Sequence, residues 1–189
     1  MLRPEHKNFV ENLGSRLYRY SIKNKFSNII FVCIGTNKIV GDSFGPLVGE
    51  NLKKNIESEY IQIYGTLDKT VNYLNIFQIR KVIANKYNKP CIITIDTALS
   101  KTEEVGKSFI NWGGIELGKA INKGLYFDSN INIKTVIGKA RKSDLNNIIE
   151  LQKVDEDFVS NLANYVSLGI IETIKANKNV FKIKCYGEK

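Results

Sequence analysis

Two short, mostly apolar runs limit what this chain can fold into more than any other feature of its sequence. Residues 29–34 read IIFVCI and residues 91–95 read CIITI, and the runs end at Gly35 and Asp96. β-Branched residues dominate both runs, which favours strands over helices. The first run is continuously apolar, as is typical of a strand that is buried on both faces in a parallel sheet covered by helices. The runs therefore predict an α/β fold.

Helical and strand patterns alternate along the rest of the chain. Apolar residues at three- to four-residue spacing predict an N-terminal helix over residues 5–20, a helix that begins near Pro46, a helix over 71–84 and a C-terminal helical region over 142–176. Further strands are predicted over residues 60–64, 105–110, 131–137 and 180–184, and residues 112–130 are predicted to form a long surface loop over one end of the sheet. We therefore predict one domain over residues 1–189, a three-layer αβα sandwich around a mostly parallel sheet.

The basic composition narrows the classes of partner. The formal net charge is +9, but lysines and arginines are scattered from Arg3 to Lys189 rather than gathered into a patch. Nucleic-acid binding depends on clustered positive charge, so the pattern favours a solvated surface over a nucleic-acid partner. An acidic protein partner is the other alternative.

Cysteine usage and the N-terminal sequence indicate the compartment. The three cysteines are odd in number and far apart, with no C-x-x-C pair, which favours a reducing environment. The first residues carry charges instead of a signal-type apolar core, and no stretch approaches the roughly 20 apolar residues of a membrane span. We therefore expect a cytoplasmic protein that is not embedded in a membrane.

Aspartates follow the predicted strands at the end of the sheet where open α/β proteins bind ligands. Asp96 directly follows the strand over 91–95, Asp42 lies in the loop after the first strand, and Asp68 follows the second strand. Asp42 and Asp68 have a second interpretation as N-caps of the helices that come next. A purely structural role explains Asp96 least, because a carboxylate at the end of a buried strand needs partners or solvent.

A pair of aspartates supports two kinds of chemistry. When two carboxyls are held close together away from water, one retains its proton while the other activates a water molecule for hydrolysis. Alternatively, Asp42 and Asp96 both stay charged around a divalent cation, such as magnesium, manganese or calcium. The first alternative needs no cofactor, and the second needs a divalent metal ion.

Other catalytic arrangements do not fit the sequence. The single histidine is His6, on the predicted N-terminal helix, which argues against Ser-His-Asp and Cys-His sites. The loop over residues 35–43 has Asp42 where a Walker loop has its lysine, so it would repel a phosphate. Cys33 and Cys91 lie inside the apolar runs and are predicted core residues.

Several short motifs, taken in order, resemble one protein family. They are CIGTN over residues 33–37, GDSFGPLVG over 41–49, GTLD over 65–68, IDTAL over 95–99, and the segment 113–123 with Gly118 and Asn122. Together they extend over residues 28–138 and resemble the sporulation protein YyaC family.

The resemblance implies a fold and a set of site residues. The YyaC family is similar to two kinds of peptidase that share one αβα, phosphorylase/hydrolase-like fold. These are the germination protease GPR, which degrades small acid-soluble spore proteins, and the HybD-like hydrogenase maturation proteases. By motif position, their acidic residues after the first strand and at the end of a later strand correspond to Asp42 and Asp96. The same motifs imply supporting roles for Thr36, Asn37, Ser43, Gly45 and Asp68.

One departure from the resemblance concerns metal binding. Hydrogenase maturation proteases add a histidine to two carboxylates to hold nickel, whereas the histidine of this chain is His6 alone. An aspartate pair without metal, as in GPR, fits the available residues better.

Two hypotheses of function follow from the residues and the resemblance. The first is a spore-associated, peptidase-like hydrolase in which Asp42 and Asp96 activate water to cleave peptide bonds. The resemblance implies spore proteins as substrates and the sporulating cell or forespore as the location. The second hypothesis is a catalytically silent sporulation protein that holds a basic peptide or a chain terminus in an acidic crevice.

Overall fold

Both apolar runs form central strands of the protein. The computed structural model describes residues 4–23, 26, 28–117 and 124–177. The strands are β1 Ile29–Cys33, β2 Ile61–Tyr64, β3 Cys91–Ser100, β4 Ser108–Trp112, β5 Ile115–Leu117, β6 Leu125–Phe127 and β7 Ile131–Lys139. The helices are α1 Pro4–Lys23, α2 Phe44–Asn55, α3 Ile76–Lys86, α4 Asp144–Lys153 and α5 Glu156–Ala176, with short 3₁₀ turns at Gly41–Ser43 and Thr102–Glu104.

Five of the strands form one sheet in the order β2-β1-β3-β7-β4. The first four run parallel, and β4 pairs antiparallel with β7 at one edge. Strands β5 and β6 form a separate antiparallel hairpin. This arrangement confirms the predicted mostly parallel sheet.

The side chains of the central strands alternate between two hydrophobic cores. Ile29, Phe31 and Cys33 on β1 face a first core, to which α1, α2 and α5 contribute. Ile30 and Val32 face a second core, which is completed by α3 and the β5–β6 hairpin. Because both faces of the sheet are covered, its central strands can be apolar at every position. The predicted α/β sandwich is confirmed.

Most predicted helices are present. The α1 helix contains residues 5–20, Pro46 lies in the first turn of α2, and the C-terminal helical region consists of α4 and α5. The Asp155 side chain caps α5 by accepting a 2.8 Å hydrogen bond from the Phe158 N–H. No helix in the described part of the chain has a stretch long and apolar enough to span a lipid bilayer.

The helix predicted over residues 71–84 begins later than expected, at Ile76. The Asn75 side chain accepts a 2.9 Å hydrogen bond from the Asn72 N–H, and the Asn72 side chain accepts one of 3.0 Å from the Leu74 N–H. Such local side-chain bonds compete with helix formation. Val71 instead forms a β-bridge with Ile34.

The strand boundaries around the site also differ from the prediction. Strand β3 does not stop before Asp96 but continues to Ser100, because β7 is long enough to pair with it as far as Lys139. The strand predicted over residues 105–110 is β4, which begins three residues later at Ser108.

The segment over residues 112–130 is not simply a surface loop over one end of the sheet. It contains β5 and β6, whose Ile115, Leu117 and Phe127 side chains are buried in the second core against a face of the sheet. Gly118 and Asn122, like the strand predicted over 180–184 and Cys185, lie outside the described residues.

Candidate functional site

The loop after β1 folds back over the end of its own strand. The Ile34 N–H donates to the Ile95 carbonyl at 2.8 Å, and the Thr36 N–H donates to the Asp42 carbonyl at 3.1 Å. Gly35 makes this return possible, since its φ is +147° and a Cβ there would lie 2.0 Å from the Asp42 carbonyl oxygen. Asp42 is therefore held close to the point where β1 ends.

The 3₁₀ turn Gly41–Ser43 carries Asp42 into α2. The N-cap of α2 is Ser43, without a capping side-chain hydrogen bond, so the interpretation of Asp42 as the helix cap is wrong. The Ser43 hydroxyl instead donates to the Val40 carbonyl at 2.6 Å. A Cβ at Gly45 would lie 2.0 Å from the Ile34 carbonyl oxygen, so the glycine allows α2 to start directly against β1.

Asp96 lies inside β3, at the first position beyond the end of β1. Cys33 pairs with Ile95, and Asp96 pairs on its other side with Lys134 of β7. The Thr97 N–H donates to Asp96 Oδ1 at 2.9 Å. The Thr97 hydroxyl donates to the Gly41 carbonyl at 3.0 Å, which ties β3 to the turn that carries Asp42.

Burial is the main cause of a raised pKa at both aspartates, although their charged neighbours differ. Burial raises the pKa of Asp42 to about 7, the negative charge of Asp96 raises it as well, and the nearby Thr36 backbone N–H acts in the opposite direction. Burial also raises the pKa of Asp96 to about 7, against the lowering effects of Lys134 and of the Thr97 N–H. Both residues keep partial solvent exposure. The pair therefore titrates near neutral pH while water can still reach it.

The residues expected to support the pair are placed differently from one another. Thr36 acts through its backbone N–H, and Gly45 acts by allowing close packing. The exposed Asn37 side chain donates to the Leu67 carbonyl at 3.0 Å and so links the loops after β1 and β2. Asp68 is exposed and does not cap α3, whose N-cap is Asn75. The structure thus brings Asp42 and Asp96 together and leaves Asp68 at the surface.

Two residues next to the pair were not identified from the sequence. Thr97 directly follows Asp96, and Lys134 interrupts the apolar strand pattern over residues 131–137. A lysine within a predicted buried strand was the available signal. Which strand it would face could not be known, because the order of the strands is a property of the folded sheet.

The donor set around the pair does not fit nickel. Among the described residues there is no group of three histidine, cysteine, aspartate or glutamate side chains that could hold a metal ion. His6 lies in α1, and its side chain is outside the described part of the structure. Two carboxylates alone are hard oxygen donors, whereas nickel favours sites that include imidazole or thiolate ligands. Among the described residues, the cation that acts on Asp96 is Lys134, its register partner on β7.

Cys33 and Cys91 are confirmed as core residues. Both side chains are fully buried free thiols. Burial raises the pKa of both, that of Cys91 to about 12, so neither is a thiolate nucleophile at neutral pH.

Comparison with solved structures identifies a protein of similar fold. The structure of the [NiFe] hydrogenase maturation protease HycI from Thermococcus kodakarensis is similar, with a TM-score of 0.56 and 21% sequence identity over 79% of this chain and 94% of that chain. At this level of identity the similarity shows a shared fold.

Sequence comparison identifies relatives more directly. The uncharacterised protein YyaC of Bacillus subtilis strain 168 is 30% identical over 142 residues, which is 75% of this chain and 67% of YyaC. The model of the family described as protein of unknown function DUF1256 matches residues 1–169. On this evidence the chain belongs to the DUF1256 family.

Proposed function

We propose that the chain is a peptidase-like hydrolase in which Asp42 and Asp96 share one proton and activate a water molecule for peptide bond cleavage. The observation that supports this proposal is the pair itself. The two carboxyls come from separate segments, are partly buried, and each has a pKa raised to about 7. Near neutral pH such a pair holds one proton between two acids, which is the state that acid–base hydrolysis requires.

The proposed reaction uses one carboxyl as the base and the other as the acid. The ionised carboxylate accepts a proton from water as the water oxygen attacks the peptide carbonyl carbon. The protonated carboxyl donates its proton to the carbonyl oxygen. The carboxyl that accepted the water proton then donates it to the amide nitrogen, the other carboxylate takes back a proton from a hydroxyl of the tetrahedral intermediate, and the C–N bond breaks, which leaves a new carboxyl terminus and a new amine. The partial exposure of both aspartates gives water and substrate access.

The choice of substrate to test is guided by the resemblance of the YyaC family to GPR. The relationship to YyaC and the resemblance of that family to GPR support small acid-soluble spore proteins as the first substrates to test. They support the sporulating cell or forespore as the location. The fold shared with HycI is consistent with a protein or peptide substrate, although a fold hosts many functions and does not select one.

The test is proteolysis of small acid-soluble spore proteins by the wild type and by the Asp42→Asn and Asp96→Asn variants. We expect either substitution to abolish cleavage, because each removes one of the two groups that exchange protons. Asp68→Asn is the matched control, since Asp68 is an exposed aspartate in the next loop. Circular dichroism would confirm that each variant is folded. Full activity of either pair variant would contradict the proposal.

The alternative function is a binding protein without catalysis. One observation favours it, namely that the Asp96 carboxyl is already engaged by a 2.9 Å hydrogen bond from the Thr97 N–H. A carboxylate has about four acceptor positions, so one such bond leaves room for a ligand or for water. If the folded wild type leaves every substrate intact but binds a lysine-rich peptide, and both aspartate variants lose that binding, the alternative replaces the peptidase.

A further inference from the structure

Lys134 is placed by the sheet beside one aspartate of the pair. Asp96 and Lys134 are register partners on the parallel strands β3 and β7. Neighbouring strands lie about 4.8 Å apart, so the side chains of register partners stand side by side. Lys134 is partly buried, in a strand whose neighbouring residues are almost all buried.

The alternation of side chains places both residues on the same face of the sheet. Their preceding neighbours Ile95 and Ile133 are buried in the first core. Successive side chains on a strand point to opposite faces, so Asp96 and Lys134 point away from that core. The next position across the sheet on this face is Phe109 of β4, the antiparallel partner of Lys134. On that side Lys134 has an aromatic neighbour, and its charged neighbour across the strands is Asp96.

We infer that Lys134 is a positioning residue that holds the negative charge of the aspartate pair on Asp96, so that Asp96 is the base and Asp42 is the acid. This inference rests on the proposed function. A lysine ammonium beside one carboxyl stabilises the ionised form of that carboxyl, and the resulting negative charge favours the protonated form of the other.

The surroundings of the two carboxyls agree with this assignment. Among the described residues, the charged group that acts on Asp42 is Asp96, and the charged group that acts on Asp96 is Lys134. Asp96 Oδ1 accepts a 2.9 Å hydrogen bond from the Thr97 N–H, whereas the Thr36 N–H donates to the main-chain carbonyl of Asp42, so this hydrogen bond also favours the ionised form of Asp96. Lys134 is the charged group that distinguishes the two carboxyls. The assignment also gives the pair a resident cation in place of a metal ion.

The direct test measures the ionisation of Asp96 without reference to catalysis. In an Asp42→Asn protein, carboxyl-carbon NMR would follow the titration of Asp96 with and without the Lys134→Met substitution. We expect Lys134→Met to raise the pKa of Asp96 by about one pH unit or more, the usual effect of losing a neighbouring opposite charge. Lys134→Arg should restore the lower value. Lys139→Met, at the exposed end of the same strand, is the matched control and should leave the pKa of Asp96 unchanged.

The same titration separates failure of the inference from failure of the proposed function. If the pKa of Asp96 is the same with and without the Lys134→Met substitution, the inference is overturned, even if the wild type cleaves spore proteins. If Lys134→Met fails to fold, the comparison of Lys134→Gln with Lys134→Arg provides the same measurement. Where the wild type cleaves its substrate, the acid side of the kcat/KM pH profile should move to higher pH in Lys134→Met and return in Lys134→Arg. An unmoved profile would overturn the role of Asp96 as the base.

Discussion

The Thr97 hydroxyl donates a 3.0 Å hydrogen bond to the Gly41 carbonyl oxygen, across 56 positions of sequence. This bond joins the residue after Asp96 to the residue before Asp42. A second hydrogen bond, of 2.8 Å from the Ile34 N–H to the Ile95 carbonyl, connects the start of the loop after β1 to the residue before Asp96. The placement of the two carboxyls therefore depends on contacts between β3 and the loop after β1.

Removing the Thr97 hydroxyl should weaken the site and the fold together. In Thr97→Val the side-chain shape is kept, but the buried Gly41 carbonyl loses its donor, which typically costs about 1–3 kcal/mol of unfolding free energy. We also expect lower proteolytic activity, because the turn that carries Asp42 is less well held. Urea denaturation and the spore-protein assay measure the two effects. Thr97→Ser keeps the hydroxyl and should retain both properties; a Val variant as stable and active as the Ser variant would refute the role of this bond.

The close approach of α2 to β1 should tolerate no side chain at Gly45. A Cβ there would lie 2.0 Å from the Ile34 carbonyl oxygen, a backbone atom that cannot move aside. We expect Gly45→Ala to lower the unfolding free energy by roughly 1–3 kcal/mol or more, as overpacking does. Gly124→Ala is the control, because a Cβ at Gly124 meets no atom within 4 Å. Similar denaturation midpoints for the two variants would contradict this account.

The aspartate pair should make the protein less stable as pH rises toward neutrality. The pKa values of Asp42 and Asp96 are raised from 3.8 to about 7 in the folded protein, so between these pH values the folded state binds more protons than the unfolded state. Unfolding free energy therefore falls as pH rises from about 4 to about 7 and levels off above that range. Asp42→Asn removes one of these groups and relieves the other of a negative neighbour.

Thermal denaturation at pH 5 and pH 8 measures this effect. We expect the gain in thermal stability of Asp42→Asn over wild type to be larger at pH 8 than at pH 5, because the variant lacks the buried negative charge that wild type carries at pH 8. Asp68 is exposed, so the difference in thermal stability between Asp68→Asn and wild type should be the same at both pH values. A wild-type stability that rises between pH 5 and pH 8 relative to Asp42→Asn would show that the carboxyls are not buried as a pair.

Proteolysis by the wild type should not depend on a metal ion. Lys134 already supplies a positive charge near Asp96. Among the described residues, no three histidine, cysteine, aspartate or glutamate side chains are grouped so that they could hold a metal ion. We expect the rate of spore-protein cleavage to be unchanged after dialysis against EDTA. A loss of activity that manganese or magnesium restores would instead assign the pair to a cation site.

The two core cysteines should be chemically inert in the folded protein. Cys33 and Cys91 are fully buried, and burial raises the pKa of both thiols. In a Cys185→Ser protein, which leaves these two of the three cysteines, the thiol reagent DTNB should detect no thiol under native conditions and two in denaturant. Rapid labelling of a thiol without denaturant would mean that the sheet opens locally.

The central strands, the helices and one end of the candidate site could be predicted from the sequence because they depend on local patterns. An uninterrupted apolar run such as residues 29–34 has few alternatives to a doubly covered strand, and β1 is that strand. The motif around Asp42 places an acid after a strand and before a helix, and the structure confirms that position. These features need only the spacing of neighbouring residues.

The tertiary structure decided which residues from distant segments are neighbours in space. Asp96 was expected at the end of its strand, yet β3 continues past it because β7 is long enough to pair as far as Lys139. Asp68 was expected to cap a helix, but the asparagines at positions 72 and 75 delay α3 until Ile76. The sequence by itself determined the central strands β1 and β3 and placed Asp42 and Asp96 shortly after the two apolar runs. Strand order and register decided that Lys134 stands beside Asp96, because pairing between distant segments is selected by the packing of the whole sheet.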